Sequence, residues 1–223
     1  MILRLSNFTR ELSWNENCHL NELVIEHPYF YRTIIQELCS PGNDLQSISL
    51  TSDGNLLKIG DDVDVIMNPM KLDFNNRKVV ANLLKALLRT SVSEDFYSET
   101  NMLKSKIINY LEDVIAAEGF RFEIETDDFS LDQIAKAVNL HVVSDEDDLV
   151  ELITNYLEIM RELSKTRLFC FISLRNFLDE QELLRLYRNV CDRDFDVLLI
   201  EGSCRNPIPG VQRMIIDEDF CEI

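Results

Sequence analysis

Apolar positions alternate in some stretches of this chain, run together in others and recur every three to four residues in others, and these patterns divide it into predicted elements. Near the start, "ILRL" alternates and "NELVIE" is largely apolar, so both predict short strands. "PYFYRTIIQELC" has helical spacing behind Pro28, a residue suited to a helix's first turn. "SISLTSDGNLLKI" sets two apolar stretches around Ser52, Asp53, Gly54 and Asn55, which predicts a hairpin. In "DVDVIMNP" the alternation of Val63, Val65 and Met67 predicts a strand that Pro69 ends.

From Asn75 to Leu163 helical periodicity takes over, with no proline and Gly119 as the sole glycine. "NRKVVANLLKALL" places Val79, Val80, Leu83, Leu84 and Leu87 on one face. "NMLKSKIINYLEDVIAAEG" repeats the pattern with Leu103, Ile107, Tyr110, Leu111 and Val114, and Gly119 suits its C-terminal cap. "SDEDDLVELITNYLEIMREL" opens with Ser144 and Asp147 in capping-box spacing and continues through Leu149, Ile153, Tyr156, Leu157, Met160 and Leu163.

After Lys165 the pattern changes back. "TRLFCFISL" and "FDVLLIEG" are apolar runs of strand length, as expected for strands buried on both faces. Between them "DEQELLRLYRNV" is amphipathic, with Asp179 and Glu182 in capping-box spacing. Strand, helix and strand in so short a span predict a βαβ unit with parallel strands. "QRMIIDEDF" offers one more strand. The expected architecture is an α/β head domain with a mainly parallel sheet, built from residues 1–72 and 165–223, plus an inserted α-helical leg domain, 73–164.

Composition narrows the function. The chain has 223 residues and is 46% hydrophobic, enough for a substantial core. Its apolar runs are too short to span a bilayer, its N-terminus lacks a signal-peptide pattern, and its six scattered cysteines form no CxxC; a cytoplasmic protein is expected, with no membrane partner. The formal net charge is −18, so the bulk field repels polyanions, and binding to nucleic acid requires segregated basic residues. No glycine lies in a phosphate-cradling GxxxxGK[ST] or GxGxxG motif, His19, His27 and His141 lack ligand spacing, and no GxSxG is present.

Carboxylates remain. The four acids at 145–148 stand where a helix begins, as the helix dipole favours, and "IDEDF" reads as a solvated strand end. "FEIETDDF" differs, because its alternation turns Glu123 and Glu125 to one side, with Asp127 joining them. Oxygens at i, i+2 and i+4 can converge on calcium at about 2.3–2.6 Å. The EF-hand spacing is absent, and a solvated turn is the competing reading.

Several ordered segments together resemble a known family: "DVIMNPMKLDFNNRKVVANLL", "FEIETDDFSLDQIAKAVNLHV", "LSKTRLFCFISLRNFLDEQEL", "DVLLIEG" and "IIDEDF". The chain is similar to the short form of the spacer-acquisition accessory protein of type II-A CRISPR systems, over residues from about 45 to the end. The resemblance implies a head related to P-loop NTPase folds without their nucleotide motif, a helical leg, and no enzymatic activity. It implies a homotetrameric ring, stabilised by Ca2+, that encircles double-stranded DNA ends. The ring would act in spacer acquisition with the CRISPR integrase complex and the effector nuclease.

The family's acidic calcium segment matches Glu123, Glu125, Asp127 and Asp128, although at the first of these the family commonly has the shorter Asp. A ring can face acids outward and bases inward, which would reconcile the net charge with DNA. The candidate phosphate contacts are Arg77, Lys78, Lys85, Arg89, Lys104, Lys106 and Lys136. Lys136 aligns with a family lysine, and the others do not map cleanly. Two other classes stay open on the residues: a divalent-metal-dependent nuclease using the acidic cluster, and an acidic protein-interaction module.

Overall fold

The computed structural model describes residues 1–16, 18–40, 46–118 and 129–223. In chain order its elements are β1 (Ile2–Leu5), β2 (Glu11–Ser13), β3 (Leu20–Ile25), α1 (Pro28–Cys39), β4 (Ile48–Ser52), β5 (Asn55–Leu56), β6 (Val63–Ile66), α2 (Arg77–Ser91), α3 (Tyr97–Glu118), α4 (Leu131–Ala137), α5 (Leu149–Ile159), β7 (Leu168–Ile172), α6 (Glu180–Asp192), β8 (Val197–Glu201) and β9 (Gln212–Ile216). A π-helical turn, Met160–Ser164, extends α5, and a 3-10 turn, Leu174–Asn176, follows β7.

The two continuous apolar runs become neighbouring central strands. Every residue of β7 and β8 is buried, as is every residue of β3. These strands form a five-stranded, all-parallel sheet in the order β6-β7-β8-β3-β9. The expected βαβ unit is β7–α6–β8. Helix α6 starts with both halves of its capping box in place: Asp179 accepts from the Glu182 backbone N–H at 2.8 Å, and Glu182 accepts from the Asp179 N–H at 2.9 Å. Fold class thus agrees with the sequence: α/β, with a parallel sheet and six α-helices among the described residues.

A second sheet is four-stranded and antiparallel, in the order β2-β1-β4-β5, with β3 of the parallel sheet falling between its strands in the chain. Its β4–β5 hairpin is the expected one, and its turn holds Asp53 and Gly54 at φ 52° and 79°. Two consecutive left-handed residues match the twist of a two-residue hairpin. One core joins both sheets to α1, through residues such as Leu3, Leu50, Ile34, Leu38, Cys170 and Leu198. All six cysteines are free thiols, and burial pushes the Cys170 thiol up.

Charge is also buried there. Glu22, in the middle of β3, sits between two arginines: Arg175 Nη1 donates to it at 2.7 Å, and Arg213 Nε donates to its other oxygen. The Glu22 side chain is 1% exposed and that of Arg175 5%. Both arginines also donate to the Asn206 carbonyl, tying the β8–β9 connection to the sheet. Glu201, buried at the end of β8, accepts from the Arg175 backbone N–H at 3.0 Å.

The chain divides into two compact units, Met1–Phe74 with Ser144–Ile223, and Asn75–Val143. Residues 144–164, which the periodicity groups with the helical leg, pack in the α/β unit. Thr154 of α5 accepts from Asn189 Nδ2 of α6 at 3.0 Å, and the Tyr156 hydroxyl donates to Asp64 at 2.8 Å. Helix α5 is capped by Asp148, which accepts from the Val150 and Glu151 N–H groups, and not by Ser144. Arg185 on α6 pairs with Asp148 and holds its carboxyl below the usual range. In β6 the buried residues are Val63 and Ile66, whereas Met67, expected inside by alternation, lies beyond the strand and is 51% exposed.

Candidate nucleic-acid interface

The candidate contacts lie in the helical unit, and α2 supplies four of them. Its start is set by two asparagines. Asn76 caps the helix, accepting from the Lys78 and Val79 N–H groups at 3.1 and 3.0 Å. Asn75 forms an amide clamp with Val142, donating to its carbonyl at 2.8 Å and accepting from its N–H at 2.7 Å. Sequence reasoning passed over this pair, although Asn before an apolar-periodic run is a legible cap signal.

Among its 15 residues α2 carries Arg77, Lys78, Lys85 and Arg89 and no carboxylate. This segregation is pronounced in a chain of net charge −18. At 3.6 residues per turn, Lys78, Lys85 and Arg89 fall within about 40° of one another around the helix, along about 16 Å of its length. The buried Val79, Leu84 and Ser91 centre on the opposite side. One face therefore anchors α2, and the other presents a row of cations. Arg89 is exposed in the last turn, where it also opposes the helix dipole. Arg77 and Lys85 are exposed and Lys78 is half-buried.

The remaining candidates do not join this row as a set. Lys104 and Lys106 are two residues apart on α3, hence about 200° apart around it. Helix α3 also carries Glu99, Glu112, Asp113 and Glu118, so its charge is mixed. Lys136 on α4 is ion-paired with Asp132 one turn back, at 2.8 Å. Hydrogen bonds from Lys136 and then Ser130 hold the Asp132 carboxyl below its ordinary range. The family-aligned lysine is thus partly neutralised by its own helix.

The proposed calcium ligands Glu123, Glu125, Asp127 and Asp128, and Gly119 as the cap of α3, lie outside the described residues. Among the described residues no group of three or more His, Cys, Asp or Glu side chains is placed to hold a metal ion. His141 is exposed, with Nδ1 2.8 Å from the Asn139 carbonyl. No described helix is long and apolar enough to cross a membrane. Residues 42–220 match the model of the family described as CRISPR-associated protein (Cas_Csn2).

Proposed function

The chain belongs to the Cas_Csn2 family of CRISPR-associated proteins, and on that premise we propose that it binds double-stranded DNA ends without cutting them, as a calcium-stabilised homotetrameric ring acting in spacer acquisition. The observation that carries this reading is the acid-free row of cations on α2, Lys78, Lys85 and Arg89, opposite the face that packs. A row of point charges on one helix face suits phosphates and carries no base-reading geometry, so binding is independent of sequence and steeply salt-dependent. Calcium held by Glu123, Glu125, Asp127 and Asp128 would supply positive charge that offsets the chain's excess of acids; these side chains form the oxygen donor set that calcium prefers. Its partners in the cell are the CRISPR integrase complex and the effector nuclease, with the protein presenting DNA ends to them.

Gel shifts of linear and closed-circular duplex, each with calcium or chelator, test the proposal. Linear duplex is retarded in calcium, circles are not, and chelator releases the complex with the DNA intact. Changing Lys78, Lys85 and Arg89 together to Gln lowers affinity and reduces the magnitude of the log–log salt slope by about 3 for each copy of α2 that contacts DNA. Equal binding to circles overturns encirclement, and cleavage makes the protein a metal-dependent nuclease.

A further inference from the structure

Met67, which strand alternation predicts inside, leaves the end of β6 for the surface and is 51% exposed. There its Sδ accepts a hydrogen bond from the thiol of Cys39, at a sulfur–sulfur distance of 3.6 Å. Cys39 is the last residue of α1 and is also exposed. Three residues beyond Met67, Met70 is 63% exposed. A turn holds this "MNPM" segment: Asn68 Oδ1 accepts from the Met70 N–H at 2.9 Å, and the Asn68 carbonyl accepts from the Lys71 N–H at 3.1 Å. Pro69 fits it, since proline presets the backbone at that place in a β-turn. The surface where α1 and β6 end therefore carries a thiol and two thioethers, brought from separate parts of the chain.

A single exposed apolar side chain is ordinary. Here the donor chemistry sets the group apart. Thiolate and thioether sulfurs are soft, polarisable ligands of the kind that suits cuprous copper, whereas calcium and magnesium take oxygen. The distance fits as well. With metal–sulfur bonds of about 2.3 Å, sulfurs 3.6 Å apart subtend about 100° at an ion between them. That angle is well short of a linear two-sulfur site, so the ion has room for a third ligand. Met70 can supply it, because its side chain is unbranched with three rotatable bonds and its Cα lies within about 11 Å of that of Met67. We propose that Cys39, Met67 and Met70 form a binding site for Cu(I) on the α/β unit. Binding replaces the thiol proton, which leaves to solvent, and copper keeps its oxidation state. The site shares no residue with the calcium segment and does not depend on the ring reading.

The test titrates the full chain, reduced and without oxygen, with Cu(I) against a chromogenic Cu(I) chelator, and reads the first equivalent. X-ray absorption of that complex is expected to show a shell of sulfur alone, and a nitrogen or oxygen ligand overturns the site. Met67→Leu and Met70→Leu each weaken binding by about tenfold or more, and Cys39→Ser by about a hundredfold. Both methionines are exposed, so leucine leaves the fold intact. Cys204→Ser and Cys221→Ser, at the other two exposed thiols, keep the affinity within about twofold. Unchanged affinity in either leucine variant overturns the site, because a bare thiol is then the binder. A loss at Cys204 or Cys221 as large as that at Cys39 overturns it by moving the ion elsewhere. Displacement of the copper by an equimolar amount of Zn2+ overturns the choice of metal.

Discussion

In the α/β unit the strands β3, β7 and β8 are buried throughout, and even a carboxylate, Glu22, lies inside between two arginines. In the helical unit the longest helix buries no residue, and α2 carries a row of cations opposite its packed face, with Lys85 and Arg89 exposed and Lys78 half-buried. The first region meets its buried Glu22 charge from within, with Arg175 and Arg213, and both guanidinium groups also donate to the Asn206 carbonyl. The second leaves apolar and charged side chains exposed, among them Tyr110, Lys85 and Arg89. Substitutions in the two units are therefore expected to differ in their effect on stability.

The largest effect expected from breaking the contrast comes from Glu22→Ala. It strands Arg175, which is buried, and Arg213 beside it, so unfolding free energy falls by about 3–5 kcal/mol in a denaturant titration. Tyr110→Ala, at an exposed position of α3, changes the same quantity by less than about 0.5 kcal/mol. A loss at Tyr110 as large as that at Glu22 would mean that α3 is part of the chain's own core, and the contrast fails.

How far this contrast shows in the sequence depends on how local its causes are. The capping box of α6 and the runs that become β7 and β8 are legible because they rest on neighbours and on continuous apolarity. The hairpin turn at Asp53–Gly54 is legible for the same reason. What escapes reading depends on partners far along the chain. Glu22 pairs with residues 153 and 191 positions away, and nothing in "NELVIE" shows them. Ser144 and Asp147 have the right spacing for a cap, but Asp148 takes the role and also meets Arg185 from α6. Periodicity shows that α5 is a helix but not which unit covers it; Tyr156 settles that by reaching Asp64 and stacking edge-on against Phe74. At the candidate interface the cationic row of α2 could be read from spacing alone, whereas the Asp132 partner of Lys136 needed a folded helix to appear. The family resemblance placed the acidic segment, 123–128, as a calcium site, and that segment lies outside the described residues.

A smaller effect concerns pH. Burial, with the Glu22 carboxylate adding to it and the Arg175 N–H opposing, pushes Glu201 up to about 7 from an ordinary 4.5. Between those values the folded chain holds a proton that the unfolded chain has released. The contribution of Glu201 is complete below about pH 4.5 and declines as pH rises to about 7, by at most about 3 kcal/mol. Glu201→Gln keeps an acceptor for the Arg175 N–H and removes the titration. Across that window its stability should decline less steeply with pH than the parent's, as thermal melts at matched ionic strength will show. Parallel curves for the two proteins would place Glu201 ionised in the fold and remove the buried proton from the account of this unit.

The smallest effect sharpens the comparison most, because it asks whether the two units unfold together. Asn76 caps α2 with two backbone hydrogen bonds, and Asn76→Ala removes about 1 kcal/mol from that helix's N-terminus. If the helical unit opens by itself, amides in the first turns of α2 exchange with solvent about fivefold faster while those of β7 and β8 keep their rates. If the two units form one cooperative body, the slowest amides of β7 and β8 accelerate by the same factor, since the lost stabilisation is then felt in global unfolding. Hydrogen exchange at the level of single amides separates the outcomes. The first is expected, since the cap of α2, the Asn75–Val142 clamp and the packing of α2 with α4 lie within residues 75–143.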